Sequence, residues 1–124
     1  MALSDPRMSA GAIVLQGTII SLGNPSEVLY LVAPEAGYIK ELHCARNAAG
    51  GTGTTDLAIV TPAGAVTPVL TLTTAGAGGD VDSLELSKYD TNNAVAAQGA
   101  IHITCDGDFS GTPSGNILLI LEPF

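Results

Sequence analysis

The residues of this chain best suited to nucleophilic or general-base chemistry are His43, Cys44, His102 and Cys105. His43 and Cys44 are neighbours in the run YIKELHCAR, which reads as a strand. Their side chains then leave on opposite faces and cannot form a thiol–imidazole dyad with each other. His102 alternates with Ile101 and Ile103, which puts it on the outer face if those two are core. No GxSxG elbow, HExxH helix or phosphate-binding loop occurs, and Gly76-Ala77-Gly78-Gly79 lacks a following Lys-Ser/Thr. The expectation is a chain that is not an enzyme and carries no cofactor.

Asp106-Gly107-Asp108-Phe109-Ser110-Gly111 places oxygen ligands at alternate positions with a glycine at the sixth, as in the first half of a calcium loop. The twelfth position is Ile117, so the closing bidentate carboxylate is missing, and a solvated turn of Asp and Gly is the expected reading. Asp80, Asp82 and Glu85 form a second acidic group, expected on an exposed strand face. Cys44 and Cys105 lack metal-site spacing and are too few for a disulfide framework. Two readings stand for them: reduced strand cysteines behaving as small hydrophobes, or one inter-strand disulfide.

These residues must be positioned by a chain of 124 residues, enough for one domain with one core. Lys and Arg total 4 against 12 carboxylates, for a net charge of -8. Phosphate neutralisation needs clustered cations, so no nucleic acid and no anionic membrane is expected as a partner. The first residues show no charged segment leading into an apolar run, and no stretch approaches the roughly 20 apolar residues of a membrane span. The chain therefore reads as soluble and not exported. Fifteen Gly and 7 Pro, with only 13% charged residues and no Trp, favour short strands and tight turns around an aliphatic core.

Eight strand-like runs follow along the chain: 12–22, 27–32, 38–46, 55–61, 66–73, 81–86, 100–105 and 116–121. Each is bounded by Gly, Pro, Asn or Asp. Pro68 inside the fifth run predicts an edge position or a bulge, because proline cannot donate to a ladder. Strict alternation in the third run puts Lys40, Leu42 and Cys44 on one face and Ile39, Glu41 and His43 on the other. The segment 47–53 has no side chains able to build a core and is expected to be a flexible loop. Residues 88–98 lack an apolar stripe and predict at most one short helical turn. The fold expectation is a single-domain, all-β, antiparallel β-sandwich, jelly-roll-like, of about eight short strands over 12–124.

Two features are sticky. The last run is apolar without alternation, Ile117, Leu119 and Leu121 on one face and Leu118 and Ile120 on the other, so both faces need cover. A neighbouring subunit or a stretch of the same chain would supply it. Residues 1–11 lack periodicity and read either as a frayed terminus or as an extended arm that orders on a partner, with Leu3, Arg7 and Met8 as anchors.

The stretches GTIISLGNPSEVLYLVAPEAGYIKELHCARNAAGG, TDLAIVTPAGAVTP and NAVAAQGAIHITCDGDFSGTPSGNILLILEP, after an N-terminal arm, together resemble the small β-sandwich head decoration (cement) proteins of tailed bacteriophages. The resemblance spans about residues 16 to 122. It implies a virion protein on the outer capsid surface, assembled in the host cytoplasm, that bridges major capsid protein subunits and forms trimers or dimers. Leu3, Arg7 and Met8 would then hold the capsid, and Leu118, Ile120 and Phe124 would meet neighbouring copies. An acidic surface, no export signal and no catalytic set agree with that role. A receptor- or glycan-binding module of a spike or fibre is the alternative, with an aromatic platform near Tyr38, Tyr89 or Phe109. A subunit of a larger shell or tail tube is a third reading.

Overall fold

A computed structural model describes residues 11–73, 77–88 and 90–124. Ten strands are present among them: β1 (Ile13–Ile19), β2 (Val28–Val32), β3 (Gly37–Arg46), β4 (Thr55–Thr61), β5 (Gly64–Ala65), β6 (Leu70–Leu72), β7 (Val81–Glu85), β8 (Ala94–Val95), β9 (Ala100–Cys105) and β10 (Gly115–Pro123). All pairings are antiparallel. One sheet has the order β1-β10-β3-β7, with β8 also on β3, and the other has β2-β9-β4-β5, with β6 also on β4. First strand beside last, second beside the penultimate long strand, is the jelly-roll order of two interlocked Greek keys.

Each predicted run contains one strand, and the departures have local causes. In the run 66–73 only Leu70–Leu72 pairs in the ladder of β4, because Pro68 interrupts it. The two-residue strands β5 and β8 are too short to leave a periodic signal. In β3 strict alternation fails: Ile120 faces Glu41 but Leu121 faces Ile39, so Lys40 is the extra residue of a bulge. The bulge resets the phase, so Ile39, Leu42 and Cys44 all point into the core, while Lys40 and Glu41 are both half-exposed and His43 faces out.

The core is aliphatic and lies between the sheets, built from inward residues such as Ile39, Leu42, Leu57, Ile59, Ile101, Ile103, Leu119 and Leu121, each 0 or 1% exposed. Near the β1–β2 flank the sheets come close enough that a Cβ on Gly17 would lie 2.6 Å from Leu29 Cδ1. At one end of the sandwich the segment 47–53 is held rather than flexible. Gly111 N–H donates to Gly50 O (2.9 Å), Ser110 N–H to Thr52 O (3.0 Å), and Thr52 N–H to Ser110 Oγ (2.8 Å). The side chain that this segment lacks is supplied from across the gap by Phe109, only 4% exposed.

Candidate functional site

The outer face of the β1-β10-β3-β7 sheet is the clearest candidate surface. The ladder register builds it in rows: Val14–Ile120–Glu41–Glu85, Gln16–Leu118–His43–Ser83, and Thr18–Asn116–Ala45–Val81. Gln16, His43, Ala45, Val81, Asn116 and Leu118 line a concavity of about 440 Å3. Leu118 and Ile120 are half-buried here, flanked on both sides because β10 is an interior strand of the sheet. The flanking strands satisfy both edges of β10 but do not cover its outer face, so the apolar Leu118 and Ile120 remain a surface feature. Val14 and Val81 extend the apolar surface at 39% and 60% exposure.

A polar chain runs from the first row into the middle one. His43 Nε2 lies 3.0 Å from Glu41 Oε1, and His43 Nδ1 lies 2.7 Å from Ser83 Oγ. With the carboxylate as acceptor, Nε2 carries the proton and Nδ1 accepts from the Ser83 hydroxyl. Alternation already puts Glu41 and His43 on one face, two residues apart, and the strand pairing brings Ser83 opposite His43; only that pairing is invisible in sequence spacing. This arrangement has a hydroxyl and an oriented base, two of the parts that acyl transfer requires. The third part is a set of donors aimed at a developing oxyanion. Backbone N–H groups here run in the plane of the sheet, so the ladder itself does not furnish them.

Other sequence-derived candidates disperse. Phe124 is 81% exposed and lies four residues beyond Ile120, about 14 Å further along the strand direction, so it is not part of the Leu118–Ile120 patch. Leu3, Arg7, Met8 and Tyr89 lie outside the described residues. Phe109 is buried and cannot serve as an aromatic platform; it packs instead beneath Arg46, whose guanidinium carbon is 5.6 Å from the ring centroid. Arg46, 2% exposed, also donates to Thr73 O and pairs with Asp82 Oδ2 at 3.4 Å. That contact turns Asp82 inward, away from the exposed acidic face expected for it. Lys40 pairs with Glu122 at 3.2 Å.

Asp106 acts as a turn residue. Its Oδ1 accepts from the backbone N–H groups of Asp56 (3.2 Å) and Asp108 (3.4 Å). No group of three or more His, Cys, Asp or Glu converges among the described residues. Cys44 and Cys105 are both buried and free. Burial pushes the Cys44 thiol up to about 11, aided by nearby Asp82, and burial also raises that of Cys105.

The outer face of the second sheet presents the aromatic pair that composition alone did not locate. Tyr30 is 64% exposed and meets the His102 ring edge-on, centroids 4.5 Å apart. His102 faces out as alternation predicts, between the fully buried Ile101 and Ile103. Tyr38 is half-buried on the other sheet.

No family model and no curated protein matches the chain. Among solved structures, the catalytic unit of a thermostable GH87 alpha-1,3-glucanase from Streptomyces thermodiastaticus strain HF3-3 is similar at 11% identity and a TM-score of 0.49. The match covers 92% of this chain and 25% of that one, so the chain spans about a quarter of its length. A likeness of this grade assigns neither activity nor substrate.

Proposed function

We propose that this chain is a structural virion protein that binds the outside of an assembled phage capsid and stabilises it by bridging major capsid subunits. The observation that carries the reading is the apolar outer face centred on Leu118 and Ile120, on a jelly-roll sandwich of the kind that viral capsid domains use. The resemblance of residues 16 to 122 to phage cement proteins supports it, as does a net charge of -8, which suits a surface turned away from packaged DNA. In this reading the chain works mechanically. It buries interface area that exists only when capsid subunits are in register, and so favours the intact shell. Leu3, Arg7 and Met8 of the N-terminal arm grip the capsid, and the Leu118–Ile120 face meets neighbouring copies.

The exposed Tyr30–His102 pair favours a second reading, a glycan- or receptor-binding module, since an aromatic face beside polar groups suits a sugar ring. One experiment separates the two. The purified protein is mixed with undecorated capsids of the cognate major capsid protein and, in parallel, with a glycan panel. Saturable co-sedimentation with capsids supports the decoration role; glycan retention without capsid binding overturns it.

A further inference from the structure

The two sheets have open edges, and natural sheets guard such edges with charge, proline, bulges or brevity. Two flanks follow this rule. β7 carries Asp82 and Glu85, and β5 and β6 are two and three residues long; β1 is longer and uncharged, but Gln16, Gly17 and Thr18 make its middle polar or bare. β2 does not follow the rule. Its five residues, Val28-Leu29-Tyr30-Leu31-Val32, contain no charge, proline or glycine, and they pair with β9 in an unshifted register. Among the described residues β2 pairs with no other strand. Tyr30 and Val32 are 64% and 59% exposed, and Leu29 and Leu31 are only half-buried, unlike the sealed Ile101 and Ile103 beside them.

The sequence of β2 is a palindrome about Tyr30. We propose that β2 is a self-association edge, where a second copy of this chain pairs antiparallel across a two-fold axis through Tyr30 and joins the two β2-containing sheets into one. A two-fold contact is isologous, so each residue must suit its mirror position. Here Tyr30 faces the second copy's Tyr30, Leu29 faces its Leu31, and Val28 faces its Val32. Outward residues meet outward and inward meet inward, so both outer faces stay on one side and the leucine row of the core continues across the junction. The flanking carboxylates also fit, since Glu27 falls opposite Ala33 and Glu35 opposite Pro25, with no acid facing an acid. For a chain of charge -8, an uncharged strand is where two copies approach with least repulsion.

This surface is independent of the capsid reading and of the Leu118 face, and it is tested on the isolated full chain. Sedimentation should show a dimer that dissociates on dilution, and Tyr30→Lys, which opposes two ammonium groups across the axis, should weaken it by about tenfold or more without lowering the melting temperature of the dilute monomer. A mapping experiment stands apart from any folding defect. Tyr30→Cys should cross-link to itself with a short bis-maleimide, each thiol adding to one maleimide. Val28→Cys and Val32→Cys should cross-link efficiently only when mixed, while the wild type, its two cysteines buried, should not react. A chain that stays monomeric up to about 1 mM, the limit for a contact of ~4 kcal/mol, overturns the proposal. So does a dimer that Leu118→Asp dissociates while Tyr30→Lys and the cysteine pattern leave it untouched.

Discussion

Phe109 packs against Gly50 so closely that a Cβ on residue 50 would lie 2.6 Å from the ring Cδ1. Arg46 covers the same ring, 5.6 Å from its centroid, and ties it to Thr73 O and Asp82. Three loops therefore share one aromatic anchor. Phe109→Ala should cost about 3–5 kcal/mol, by loss of burial and the cavity left behind. Gly50→Ala should cost about 1–3 kcal/mol by overpacking. Because the two residues touch, the penalty for Gly50→Ala should shrink in the Phe109→Ala background. Urea unfolding of the four proteins checks this; strict additivity would show that the ring does not rest on residue 50.

Leu118 and Ile120 stand on an outer sheet face between Gln16 and His43 on one row and Val14 and Glu41 on the next. Leu118→Asp alters a half-exposed position and should change stability by no more than about 1 kcal/mol. If this face meets neighbouring copies on the shell, the variant should still fold but lose cooperative loading onto capsids. Co-sedimentation isotherms of variant and parent give the answer, and identical isotherms would remove this face from the assembly.

The elements were legible in the sequence because each depends on a few consecutive residues. Strand boundaries at Gly23-Asn24-Pro25 and at Pro34 follow from turn chemistry, and His102 facing out follows from the alternation of β9. Strand order was not legible, because β1 pairs with β10 from the other end of the chain, and eight apolar runs permit many arrangements. The Glu41–His43–Ser83 chain was half legible: alternation puts Glu41 and His43 on one face, but Ser83 joins them only through the β3–β7 register. The segment 47–53 misled because its partner side chain, Phe109, is some sixty residues away in sequence. Tyr30 was invisible as a surface feature inside an all-apolar strand, since nothing local separates an edge strand from a central one.

The N-terminal arm offers a separable test. If Leu3, Arg7 and Met8 grip the capsid, deleting residues 1–11 should abolish capsid binding, while β1, which starts at Ile13, keeps the sandwich intact. Thermal melts of the truncated chain should match the parent within a few degrees. Retained capsid binding would transfer the role to a sheet face.

Cys44 provides a pH signature of the folded core. Its thiol lies inside the sandwich, where burial favours the neutral form and pushes ionisation from 9.0 up to about 11. Below pH 9 both folded and unfolded chains keep the proton, so Cys44 adds no pH dependence. Between pH 9 and 11 the unfolded chain releases a proton that the folded chain retains, and the stability of the fold falls as pH rises. The raised Cys105 thiol acts in the same direction. Melting temperatures should therefore decline across that window, and Cys44→Ala should flatten the decline while lowering the plateau through lost packing. In the same variant series, thiol-reactive dye at pH 8 should label neither cysteine until the chain unfolds. Rapid labelling of Cys44 in native buffer would mean that the β3–β7 edge opens on its own, and that the core behind the Leu118 face is less tightly closed than its burial implies.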